Sequence, residues 1–156
     1  MAGGPAGNTS PSGLHQPVAS RAQHLKETDA LEITIYHNPN CGTSRNALFA
    51  IRAAGYEPRI LPYMQTPLSR EAIATLASQM KVPVRSIVRK KEPLFAELGL
   101  NGKDVSEEEL LDILATHPIL LNRPIVVVQN GEKTTARLCR PSETVKELIA
   151  AERARP

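Results

Sequence analysis

Tryptophan is absent from this chain of 156 residues and aromatics make up only 3% of it, so a core has to come from the rest of a hydrophobic complement of 41%. Two cysteines are too few for the disulfide scaffold on which small secreted domains depend. No run approaches the ~18 consecutive apolar residues of a membrane span, and the first residues lack the apolar centre of a secretory signal. Lysine and arginine do not gather in one block, and the net charge of +3 is mild. An anionic substrate or acidic partner is therefore allowed, while a nucleic-acid surface is not demanded. Histidine and cysteine never fall at metal-ligand spacing, so no metal is expected. These absences leave one ordinary domain, expected in the cytoplasm, with enough apolar residues for a single core.

What is present divides unevenly along the chain. Residues 1–30 are rich in Gly, Pro, Ser, Asn and Gln, with few large apolar residues, and predict a disordered extension. Arg21 and Lys26, with no acid before Glu27, also allow an organellar transit peptide, against which the low arginine density argues. Folding is expected over 31–152, with a short tail at 153–156.

Within that domain strands and helices alternate, the pattern of an α/β sandwich whose sheet is partly parallel. The first strand is expected from Glu32 to Tyr36. Leu48, Ile51 and Ala54 then recur at helical spacing up to a stop at Gly55. A strand from Pro58 to Leu61 precedes a helix capped by Ser69, whose apolar face is Ala72, Ile73, Leu76, Ala77 and Met80. Residues 84–100 predict short helical turns carrying Arg85, Arg89, Lys90 and Lys91. Ser106 and Glu109 form a capping box, and the helix they open must stop before Pro118. An apolar run from Pro124 to Val128 meets the turn signal Asn130-Gly131 and returns to Cys139. The last helix is expected to start at Arg140-Pro141-Ser142 and to bury Val145, Leu148 and Ile149.

Cys41 stands where the first strand runs through the loop His37-Asn38-Pro39-Asn40 into a helix. The thiolate is the nucleophilic form, and its pKa falls at a helix N-terminus beside cations. Helix amides near Ser44, His37 four residues upstream and Arg45 four residues downstream all favour ionisation. Ser44, with Thr43, is expected to cap the helix. His37 is open to two readings, a modulator of the Cys41 pKa or a hydrogen-bonding loop residue. The residue two beyond Gly42 is Ser44, so no disulfide can close across this loop. Cys139 is expected to be structural and buried.

Four segments in order resemble the glutathione- and glutaredoxin-dependent arsenate reductase family, of thioredoxin-like fold. They are the run from His37 through Cys41-Gly42-Thr43-Ser44-Arg45, the run Val84-Arg85-Ser86-Ile87-Val88-Arg89-Lys90, the run His117-Pro118 through Asn122-Arg123-Pro124, and the run Arg137-Leu138-Cys139-Arg140-Pro141. The resemblance implies a thioredoxin-like mixed sheet flanked by helices with a helical insertion. It implies that Cys41 attacks arsenate to form a covalent adduct, while Arg89, Arg123 and Arg140 bind and stabilise the oxyanion. It places His37 and Ser44 in support of the thiol, and a cis bond before Pro124. The adduct is then resolved by glutathione as co-substrate and by a glutaredoxin, with no bound cofactor. The hairpin from Gln129 to Ala136 looks longer than the family's usual turn. Two alternatives remain on these residues: a related thiol oxidoreductase with another substrate, and a redox-sensing regulator that binds RNA polymerase, for which Ser44 lacks the usual second cysteine.

Overall fold

A computed structural model describes residues 31–101 and 104–154. The expected extension over 1–30, and the tail beyond residue 154, lie outside the described residues. The element order is β1 (Leu31–Tyr36), α1 (Gly42–Ala53), β2 (Arg59–Leu61), α2 (Arg70–Met80), a 3₁₀ turn (Val84–Ile87), α3 (Pro93–Glu97), α4 (Glu107–Thr116), a second 3₁₀ turn (Pro118–Leu120), β3 (Ile125–Asn130), β4 (Lys133–Leu138) and α5 (Thr144–Arg153). The four strands form one sheet in the order β2-β1-β3-β4. β1 and β2 run parallel, with Ile35 beside Ile60, and β3 and β4 run antiparallel, with Ile125 beside Leu138. This is the thioredoxin-like α/β architecture with its helical insertion between β2 and β3.

Local sequence explains most of these boundaries. Ser69 accepts from the Ala72 amide to start α2, and Ser106 and Glu109 make the reciprocal capping box of α4. The β3–β4 turn is tighter than expected. Asn130 pairs with Lys133, which leaves only Gly131 and Glu132 in the loop, and Gly131 takes the positive φ (64°) that a short hairpin needs. The polar stretch therefore lengthens the strands and leaves the turn short. The start of α5 also differs from expectation. Pro141 is not its first residue: the Arg140–Pro141 bond is cis, as is Arg123–Pro124, and the helix begins at Thr144. A proline can open a helix, but nothing in its own sequence decides the isomer of the bond before it.

β3 lies inside the sheet, and Ile125, Val126 and Val128 are fully buried, the signature of a strand covered on both faces. α2 packs on α4, and α1 on α5. The 84–89 segment is tied by backbone to the residues that lead into β3: Val88 bridges Leu121, Arg89 N donates to Leu120 O (2.7 Å) and Asn122 N to Ile87 O (2.8 Å). Burial of Ile87, Leu120 and Leu121 beneath these bonds fixes the segment that carries Arg89. Among the described residues no helix is long and apolar enough to cross a membrane.

Candidate active site

The sheet gathers four distant segments around one sulfur. β1 ends at Tyr36, and His37 N prolongs its pairing by donating to Leu61 O (2.9 Å). The chain then turns tightly: Cys41 N donates to Asn38 O (3.0 Å), Asn40 N to Asn38 Oδ1 (3.0 Å), and Arg45 Nη1 to Pro39 O (2.8 Å). Cys41 thereby becomes the residue that opens α1, partly exposed, with extended backbone (φ −102°, ψ 121°). Ser44 is not the cap that the sequence suggested. It lies inside the first turn, fully buried, where its hydroxyl accepts from the Asn38 amide (3.1 Å) and pairs with His37 Nδ1 (2.6 Å). Its side chain holds the loop to the helix, and its backbone amide serves the thiol.

On the opposite side, Cys139 N donates to Pro124 O (2.8 Å), carrying the β3–β4 ladder one step further and setting Arg140 against Arg123. Arg140 Nη1 donates to Arg123 O (2.8 Å) and lies 3.7 Å from Cys41 Sγ, across 99 residues of sequence. Arg123 is buried, with Nη1 on Ile119 O (3.1 Å), Nη2 facing Glu92 Oε2 (3.5 Å) and Nε without a hydrogen-bond partner. Arg89 joins through the same carboxylate, Nε to Glu92 Oε2 at 3.1 Å, and reaches Asn122 Oδ1 (3.5 Å). Arg89 and Arg140 line one open cavity.

Electrostatics follow from this geometry. Burial alone would push the Cys41 thiol up, but the Ser44 amide, the Arg140 guanidinium, and Arg123 by hydrogen bond and charge together outweigh it, so the pKa falls from 9.0 to about 7. His37 is governed by its surroundings. Burial, then the charges of Arg45 and Arg52, hold its pKa below the usual imidazole value, and it makes no hydrogen bond to Cys41. A neutral imidazole lends no cation to the thiolate. Its contact is to Ser44, so of the two readings the loop hydrogen-bonder is the one its geometry matches. The second thiol is set apart: Cys139 is fully buried, and burial drives its pKa to about 12 despite Arg137.

Cys41, Arg123 and Arg140 thus meet directly, Arg89 joins at one remove, and His37 and Ser44 brace the loop. Three further residues belong here to which the sequence assigned no role. Glu92 couples two of the arginines. Asn38 organises the cysteine loop by backbone and side chain. Tyr63 is 1% exposed and feels the charges of Cys41 and Arg123; desolvation lifts its pKa to about 12, and its hydroxyl meets Leu121 O (3.5 Å) and the Asn38 side chain. The three-residue spacing of Arg89 and Glu92 was the one available signal for the carboxylate; for Tyr63 there was none. Among the described residues no group of three His, Cys, Asp or Glu side chains could hold a metal ion. The arrangement is an anion pocket built around an activated thiol.

The chain is similar to several known proteins. The chain is 47% identical to an arsenate reductase of Escherichia coli over 117 residues, covering 75% of this chain and 80% of that protein. It is 48% identical to an arsenate reductase of Rhizobium meliloti (strain 1021) over 119 residues, 76% and 82% of the two chains. A solved arsenate reductase from Vibrio cholerae superposes with a TM-score of 0.69 at 39% identity, over 75% of this chain and 97% of that one. The ArsC family model matches residues 36–148, which include every residue of the site described above, and the chain belongs to the ArsC family.

Proposed function

We propose that this protein reduces arsenate to arsenite through a covalent adduct on Cys41, resolved by glutathione and then glutaredoxin. The observation that carries the proposal is Arg140 Nη1 at 3.7 Å from Cys41 Sγ, held there by the Arg123 carbonyl, beside a thiol whose pKa is about 7. The relatives named above as arsenate reductases support the choice of oxyanion.

In this mechanism Arg89, Arg123 and Arg140 take up the oxygens of arsenate, whose negative charge would otherwise be repelled by the thiolate. Their permanently charged forks match a tetrahedral oxyanion, and they are aimed in advance at the charge the transition state develops. The Cys41 thiolate attacks arsenic and one arsenic oxygen leaves as water, taking up protons from the medium. Glutathione's thiol then attacks, and the two sulfurs together supply the two electrons that convert As(V) to As(III). Arsenite departs, leaving Cys41 joined to glutathione in a mixed disulfide. A glutaredoxin thiol attacks the glutathione sulfur and returns Cys41 as thiolate. Ser44, in place of a second cysteine, is why the resolving thiols come from outside. No resident cofactor is required, glutathione being consumed as co-substrate. The cytoplasm, where glutathione keeps thiols reduced, suits such a cycle.

The test is arsenate-dependent NADPH oxidation coupled through glutathione reductase, with glutathione and a glutaredoxin, comparing the native chain with Cys41→Ser. Consumption that needs arsenate, glutaredoxin and Cys41 is the expected result. A reactive Cys41 with no arsenate-dependent consumption would overturn the reading in favour of another thiol substrate, or of a regulator tested by binding to RNA polymerase.

A further inference from the structure

The cleft lined by Arg140, which itself reaches Cys41, holds more positive charge and more room than an oxyanion uses. Its volume is about 240 Å³ and its walls are Val88, Arg89, Lys90, Lys91, Asn122 and Arg140. A tetrahedral oxyanion occupies only a few water volumes of roughly 30 Å³ each. The charges also divide into two sets. Arg89 is paired with Glu92, and Arg140 is committed to Cys41 and the Arg123 carbonyl. Lys90 and Lys91 line the same cleft, are exposed, and make no hydrogen bond or ion pair with any described residue.

We propose that Lys90 and Lys91 form the subsite for the second reactant, an anionic thiol of the glutathione class, binding its carboxylates while its sulfur is directed past Arg140 to Cys41. The place of this subsite in the reaction cycle rests on the arsenate reductase reading; the binding itself does not. Glutathione carries two carboxylates and one ammonium at neutral pH, and the two unpaired lysine ammonium groups that line this cleft complement its net negative charge. Lysine suits a reactant that must leave after every turnover, since its compact, strongly hydrated charge attracts without the rigid bidentate grip of arginine. The same charges raise the local concentration of the anionic thiol and speed its arrival, an effect that salt screens.

The experiment needs no arsenate. The full chain is treated with glutathione disulfide or with neutral hydroxyethyl disulfide, and modification of Cys41 is followed by peptide mass spectrometry. In either reaction the Cys41 thiolate attacks one sulfur, the sulfur–sulfur bond breaks, a mixed disulfide forms and the other half leaves as thiolate, so the oxidation of Cys41 matches the reduction of the reagent. In a Lys90→Glu, Lys91→Glu chain the glutathione disulfide reaction should slow about tenfold, as charge reversal at close range predicts, with the neutral reaction nearly unchanged. Lys90→Arg with Lys91→Arg should restore the preference. If charge reversal slows both reagents equally, or neither, the subsite is wrong. If the preference holds in a chain that never reduces arsenate, the subsite stands and the arsenate reading alone falls.

Discussion

The two cysteines of this protein both follow strands, Cys139 directly after β4 and Cys41 across a short loop after β1, yet they are opposite in chemistry. Cys41 follows β1 and its pKa falls to about 7; Cys139 follows β4 and its pKa rises to about 12. Burial raises both. The difference lies in what reaches each sulfur. Cys41 meets a helix amide and two guanidiniums, whereas the hydrogen-bond partner of Cys139 is an acceptor, the Arg137 carbonyl oxygen at 3.7 Å. Arg140 makes the contrast sharper, because it adjoins Cys139 in sequence but serves Cys41 in space. Donors, and not the mere presence of arginine nearby, decide which thiol is a nucleophile.

The largest effect should appear in alkylation of the native protein near pH 7. Cys41 should react at least about a thousandfold faster than Cys139, since thiolate fraction governs the rate. Peptide mapping checks this, and comparable labelling of Cys139 would break the contrast. The pH dependence has a definite sign. The Cys41 pKa is depressed, so its thiolate appears as pH rises through about 7, and the alkylation rate should climb with a midpoint there and fall away below it. The same depression means that the native state sheds this proton before the unfolded chain does, so ionisation of Cys41 adds stability as pH rises from about 7 towards 9.

Removing a donor should narrow the difference. Arg140→Ala is expected to move the Cys41 midpoint upward, read from thiolate absorbance, and to weaken oxyanion binding about 10- to 100-fold, the cost of losing a charge-assisted hydrogen bond. Arg123→Ala should do the same. An unchanged midpoint in both would mean that the helix amides alone activate the thiol.

Stability should show the reverse ranking of the cysteines. Cys139→Ser puts a hydroxyl into a fully buried socket and should cost about 1–3 kcal/mol in urea unfolding, whereas Cys41→Ser, partly exposed, should cost little. The smallest effect is expected at Ser44→Ala. It breaks the ties to His37 and Asn38 but leaves the Ser44 amide in place, so the Cys41 midpoint should rise by less than in Arg140→Ala. An equal or larger rise would show that loop bracing matters as much as charge.

Much of the fold was legible because its signals are local. The caps at Ser69 and Ser106, the stop at Gly55 (φ 98°) and the apolar spacing of Val145, Leu148 and Ile149 each act within one or two turns of chain. Asn130-Gly131 located the hairpin but not its register, since cross-strand pairing and not the dipeptide sets which two residues, here Gly131 and Glu132, are left over. Ser44 has the chemistry of a cap and a position one turn too late to use it. His37 stayed open between two readings for a related reason: its charge depends on burial, which four-residue proximity to Cys41 does not reveal.

By itself the sequence determined the α/β order, the placing of a lone thiol where a strand enters a helix, and the absence of a second thiol two residues beyond Gly42. Those follow from short-range geometry and residue identity. Only the tertiary structure decided that Arg140 reaches across 99 residues to Cys41, that Glu92 holds Arg89 and Arg123 to one carboxylate, and that Tyr63 is sealed beside them. Such contacts exist only after β3 and β4 have paired and the 84–89 segment has docked on residues 120–122. Charge and desolvation act through space, and their partners are fixed by packing and not by order along the chain.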